Sequence, residues 1–134
     1  MEFFKIVNAS VTEEVIHGKI VLEDIELISN HLFKLDKTSN EELPIGSLWG
    51  EFTLLRQVIK GGIRYSLKEC PNALTWTITT GYPPKRDAIV LHLTINRIRK
   101  DKVFIEEINE FLDDHANMLE KFFEYKYSTD KTDL

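Results

Sequence analysis

With 134 residues, 43% of them hydrophobic, the chain is the size of one domain and can bury a core without metals or disulfides. Its 22 acidic side chains outnumber 17 basic ones, and the formal net charge of −5 excludes a uniformly basic surface for nucleic acid while allowing a local basic patch. The single cysteine, Cys70, cannot close an intrachain disulfide and fits a reducing compartment; without a secretory signal or a long apolar run, the expected location is the cytoplasm, away from membranes.

Phe3 to Val7 reads as a short strand, with Phe4 and Ile6 on one face and Phe3 and Val7 on the other. Ser10-Val11-Thr12-Glu13 has the Ser-x-x-Glu form of a capping box, and Gly18 interrupts any helix beginning there. Val21, Ile25, Ile28, Leu32 and Leu35 alternate gaps of four and three, which predicts a helix over 21–35. Residues 36–47 are polar, contain Pro44 and Gly46, and read as a loop.

An antiparallel meander follows, with strands expected at Gly50–Ile59, Ile63–Glu69, Ala73–Thr80 and Ala88–Arg97. The segments between them, Lys60-Gly61-Gly62, Cys70-Pro71-Asn72 and 81–87, carry turn chemistry. The first strand has a rival, because Leu48, Phe52, Leu55 and Ile59 also fit a helix ended by Gly61-Gly62; the balance inclines to strand. Phe104, Ile108, Phe111, Leu112, His115, Leu119, Phe122 and Phe123 then mark one face of a long helix with Asp101 at its N-cap. The expected fold is α+β. It has an antiparallel β-meander of about four strands, a long C-terminal amphipathic helix packed on one face and a shorter N-terminal helix. The domain spans 1–125, followed by a polar tail at 126–134.

Charge is segregated along the chain. Residues 1–51 carry a net charge of −6, residues 52–102 a net of +7 and residues 103–134 a net of −6. Between Val103 and Glu120 the helix holds Glu106, Glu107, Glu110, Asp113, Asp114 and Glu120 without one Lys or Arg. Like charges four residues apart each destabilise an isolated helix by about 0.2–0.5 kcal/mol. The row is either a solvated face or, if Glu106, Glu107, Glu110, Asp113 and Asp114 act together, a ridge that docks a protein with a basic surface. In the strands Arg64, Ser66 and Lys68, then Thr75, Thr77 and Thr79, then His92, Thr94 and Asn96 alternate with apolar residues. One sheet face is therefore apolar and awaits the helix. The other is polar and weakly basic, with Arg64, Lys68, Thr77 and His92 as candidate binding residues unless the acidic 21–35 segment covers them.

No chemical motif names a reaction. His17, His31, His92 and His115 lack metal-pair spacing, and no phosphate loop, dinucleotide fingerprint or nucleophile elbow occurs. A nucleophilic Cys70 would need a neighbour such as His92, and a structural thiol is the simpler account. His115, on the apolar stripe, reads as a packed histidine. No catalytic residue, metal or cofactor is implied. Nucleic acid is disfavoured because Tyr65 and Trp76 project to the apolar side, although Lys85, Arg86 and Arg97–Lys102 could touch phosphate.

Ala88-Ile89-Val90-Leu91-His92-Leu93, followed by Phe104-Ile105-Glu106-Glu107-Ile108-Asn109-Glu110-Phe111, resembles the last strand and helix of type III secretion chaperones. The resemblance implies a small acidic homodimer that escorts another protein; the amphipathic N-terminal helix of that family is not evident in residues 1–19. The expected function is thus a non-catalytic protein that neutralises or escorts a partner protein, of toxin-immunity, inhibitor or secretion-chaperone type. A small enzyme with its pocket on the polar sheet face is the alternative, and a nucleic-acid accessory protein the second.

Overall fold

The computed structural model describes residues 1–96 and 101–132, with the side chains of the last helix as far as Glu124. Seven antiparallel strands form one sheet in the order β1-β7-β6-β5-β4-β3-β2. They are β1 (Glu2–Val7), β2 (Phe33–Lys34), β3 (Glu42–Ser47), β4 (Gly50–Ile59), β5 (Gly62–Lys68), β6 (Thr75–Thr80) and β7 (Ile89–Thr94). The helices are α1 (Glu13–Lys19), α2 (Ile25–Ile28) and the long α3 (Lys102–Thr132), with a 3-10 turn at Leu22–Asp24.

The expected α+β fold is present, with seven strands in place of about four. Its last four strands follow the alternation of their side chains. Ile63, Tyr65 and Leu67 of β5, Trp76 and Ile78 of β6, and Leu91 and Leu93 of β7 are buried on one face. Residues 50–59 are a strand, because Leu54 and Arg56 point inward beside Leu67 and Tyr65 of β5. The predicted loop at 36–47 instead contains β3, whose Leu43 and Ile45 alternate inward around Pro44. Gly62 allows β5 and β6 to close up, since any Cβ there would collide with the Ile78 carbonyl.

The predicted helix over 21–35 is also corrected. It breaks into the 3-10 turn, the single turn of α2 and the short edge strand β2. Ser29 leaves the helical region, with φ −157° and ψ 135°, because its neighbourhood is claimed by α3. Asp114 of α3 accepts hydrogen bonds from Asn30 N (2.8 Å), Asn30 Nδ2 (2.8 Å) and Ser29 Oγ (3.4 Å). The cap of α1 falls on Thr12 rather than Ser10, its Oγ1 accepting from Val15 N at 3.2 Å. Asp101 caps α3 as expected, accepting from Phe104 N at 2.8 Å.

The connection from β1 to β2 runs from one edge of the sheet to the other on the same side as α3. Arg56, only 7% exposed, joins it to the sheet. Its guanidinium donates to Ile20 O (2.8 Å) and His17 O (2.6 Å) at the C-terminal end of α1 and to Glu41 Oε2 (2.9 Å). All three helices therefore lie on the inner face, and the acidic 21–35 segment does not cover the polar one. The basic middle of the chain meets its acidic N-terminal segment through Arg56–Glu41 and Lys68–Glu42. No helix among the described residues is long and apolar enough to cross a membrane.

Candidate functional site

The inner face of the sheet and α3 enclose a continuous series of rings. Trp49, in the turn between β3 and β4, meets Phe104 and Phe111 of α3 edge to face, with centroids 6.1 and 5.5 Å apart. Phe111 meets Trp76 at 5.2 Å, and Trp76 meets Tyr65 at 5.3 Å. Trp76, Tyr65 and Phe111 are fully buried, whereas Leu48, Trp49, Phe52 and Phe104 are only partly buried, and Val103 is exposed. The partly buried side chains thus cluster between the β3–β4 hairpin tip and the first turn of α3, packed against the core.

His115 ties this wall together. Its Nε2 accepts from Trp76 Nε1 at 3.2 Å, and its Nδ1 donates to Ile28 O at 2.5 Å. That pairing requires the neutral ring protonated at Nδ1. Burial lowers its pKa from 6.5 to about 4, outweighing the Ile28 carbonyl and the Asp114 charge, both of which favour the protonated form. Among the described residues, His115 serves structure, in accord with its place on the apolar stripe.

Two polar atoms in this wall have no partner among the described residues: the Tyr65 hydroxyl and Trp49 Nε1. Burial pushes the Tyr65 pKa well above its ordinary value, so the hydroxyl stays protonated, although Arg56 beside it works in the opposite direction. Leaving such a group unpaired destabilises a protein by about 1–3 kcal/mol. Among the described residues the interior carries no unpaired charge. Arg56 is taken up by His17, Ile20 and Glu41, and His115 is neutral.

The residues expected to bind are distributed differently. Glu106 and Glu110 stand exposed on α3. Asp113 pairs with Lys5 at 2.8 Å, and Asp114 is turned onto Ser29 and Asn30, so the five acids, Glu107 included, do not form one free ridge. Asp114 is thus engaged within the chain, at the segment that follows α2. On the outer sheet face Arg64, Thr77 and His92 do fall on one cross-strand row. Lys68 stands apart from them, bound to Glu42 at 3.0 Å. Arg97, Arg99 and Lys100 of the basic cluster lie outside the described residues, and Lys85 pairs with Asp87 at 3.2 Å. Cys70 packs against the core, while His92 is occupied by Glu2 and Phe4 on the outer face. Among the described residues no three His, Cys, Asp or Glu side chains are grouped to hold a metal ion.

The inner site escaped the sequence because Tyr65 sits on an apolar strand face and Trp49 in the turn between β3 and β4, with nothing local to mark either polar atom. Tyr65 and Trp76 were legible as inward-facing. Trp49 gave one signal, a tryptophan beside Gly50 in a turn, where a buried ring is out of place.

A sheet of seven antiparallel strands crossed by a long C-terminal helix, with two short helices after the first strand, has a counterpart among solved structures. A START superfamily protein from Mycobacterium smegmatis superimposes with a TM-score of 0.59 at 14% identity. The match covers 92% of this chain and 97% of that one. The likeness shows the fold. No family model and no curated protein matches the chain. The fold this chain shares is that neighbour's, and not that of a secretion chaperone. This overturns the expectation of a toxin-immunity protein, inhibitor or secretion chaperone: the resemblance of 88–123 to secretion chaperones rested on a strand followed by an amphipathic helix, and that pair belongs here to a START-like sheet and its long helix.

Proposed function

We propose that the protein binds a small, neutral, mostly apolar molecule between the sheet and α3. The observation that carries this is two buried hydrogen-bonding groups on the inner side that lack a geometric hydrogen-bond partner among the described residues, Trp49 Nε1 and the Tyr65 hydroxyl, the latter beside Arg56. Trp49 can only donate, and the protonated Tyr65 hydroxyl donates as well. The matching guest has acceptor oxygens on a hydrocarbon body. A charged guest would find no free counter-charge inside and would lose its hydration without return. Entry lies at the half-exposed apolar rim of Leu48, Trp49, Phe52 and Phe104. The START-like architecture supports the same reading, since its helix and sheet form two walls of one interior.

The two tryptophans of the chain both belong to this wall, so intrinsic fluorescence reports on it directly. Titration with 2-acetylnaphthalene, which carries a carbonyl acceptor, is compared with 2-ethylnaphthalene, which does not. Saturable binding with a preference of about tenfold for the acetyl compound is expected, because one buried hydrogen bond separates them. Tyr65→Phe or Trp49→Phe should erase part of that preference. Absence of saturable binding, or a preference untouched by both variants, would refute the proposal.

A further inference from the structure

The outer face of the sheet holds a second site, separate from the interior. Strand register sets Phe4, His92, Thr77, Arg64 and Gln57 in one row across β1, β7, β6, β5 and β4. Two depressions lie along this row and share Thr77 and His92. The first, about 360 Å³, is polar, with Arg64 beside the hydroxyls of Ser66, Thr75, Thr77 and Thr94. The second, about 240 Å³, is mainly apolar, walled by Phe4, Ile59, Tyr82, Pro83 and Val90, with Lys60 at its rim.

Both walls of the apolar half are set by contacts. Phe4 is 55% exposed yet stacks on His92 with ring centroids 4.3 Å apart and planes 2° from parallel. His92 is itself fixed by Glu2 Oε1 at 2.9 Å. Opposite, the Tyr82 ring lies on Gly61, whose φ of +88° and missing Cβ let the ring come down onto the backbone. Two aromatic surfaces therefore border a floor of Val90 and Thr79.

Charge decides what this trough can take. The neighbouring Lys68 is already held by Glu42, and the His92 ring by Glu2. Arg64 and Lys60 make no ion pair or side-chain hydrogen bond among the described residues, and no free carboxylate lines either depression. In a chain of net charge −5, the centre of this face is a local excess of positive charge. Arg64 offers a planar fork suited to two oxygens of one anion, and the Ser and Thr hydroxyls add donors beside it. Strand spacing of about 4.8 Å puts the Phe4 and Arg64 backbones about 14 Å apart, a gap the long arginine side chain shortens to the length of a small two-ring molecule.

We propose that this trough binds a small organic anion, with a flat apolar body between Phe4 and Tyr82 and a carboxylate or phosphate group on Arg64. The test is an amide and indole NMR titration of the full chain with 2-naphthoate, 2-naphthyl phosphate and the uncharged 2-naphthamide. The acids should shift the amides of Arg64, Thr77 and His92 and leave the indole signals of Trp49 and Trp76 in place. Arg64→Gln, a change at an exposed position, should weaken acid binding at least tenfold, as should replacing the acid by the amide. Whichever of naphthoate and naphthyl phosphate binds tighter identifies the anion. Equal binding of the amide, undiminished binding to Arg64→Gln, shifts confined to the indoles, or no saturable shift would each overturn the proposal. Shifts confined to the indoles would instead report the interior site.

Discussion

His115 makes stability depend on pH in a window where its contribution can be isolated. In the native protein its pKa is about 4, against 6.5 for an unconstrained histidine. Between those values the unfolded chain binds a proton that the folded chain refuses. Stability from this group is therefore fully present above pH 6.5 and is lost as pH falls toward 4. The whole interval corresponds to about 3 kcal/mol, of which about 2 kcal/mol is lost between pH 7 and pH 5. Carboxylates also titrate near the lower end, so the measurement is a difference between two proteins. His115→Gln preserves an acceptor for Trp76 and a donor for Ile28 but cannot be protonated. Urea unfolding followed by tryptophan fluorescence at pH 7 and pH 5 should show the original protein losing about 2 kcal/mol more than the variant. Equal losses would mean that His115 is not held neutral by burial, and the pairing with Trp76 and Ile28 would need another tautomer or another geometry.

Two further substitutions test the joints between layers. Arg56→Met should destabilise the protein by about 3 kcal/mol in urea unfolding, since it strips donors from the His17 and Ile20 carbonyls at the end of α1; Glu41→Gln, at the exposed end of the same pair, should cost under about 1 kcal/mol. Asp114→Ala should cost about 1–2 kcal/mol and speed hydrogen exchange at the Asn30 amide, while Asp113→Asn, which breaks only the exposed pair with Lys5, should leave both nearly unchanged.

What the sequence revealed follows from how far each signal reaches along the chain. The strands from β5 to β7 and the helix α3 were legible because each is fixed by its own period and bounded by turn residues, whereas the apolar residues of β4 also fitted a helix and only the balance inclined to strand. Residues 21–35 misled because their apolar spacing fits a helix, whereas Leu32 is buried and Leu35 half exposed in a segment bent around Asp114 of α3. No local window contains that carboxylate. β3 was hidden by Pro44 and Gly46, although Leu43 and Ile45 already showed the alternation that buries them. The acids of α3 were read as one set because a helical face groups them. Lys5 and Asn30, which claim two of them, arrive from remote positions. The inner site shows the same limit: nothing local marks Tyr65 on its strand or Trp49 in its turn until the fold leaves their polar atoms without an acceptor among the described residues.

The placement of β1 beside β7 also bears on how the molecule is made. Val7 pairs with Ile89 and Glu2 with Thr94, so β1 leaves the ribosome ahead of the rest of its sheet and finds its ladder partner only after nearly all of that sheet has been translated. At about 5–20 residues per second, Phe3, Ile6 and Val7 wait for seconds with an open hydrogen-bonding edge. Lys5 in the middle of that strand gives it a charge during the wait, the kind of residue that discourages one nascent chain from pairing with another. In the finished protein the same ammonium group settles on Asp113 of α3, an element synthesised after every strand of the sheet.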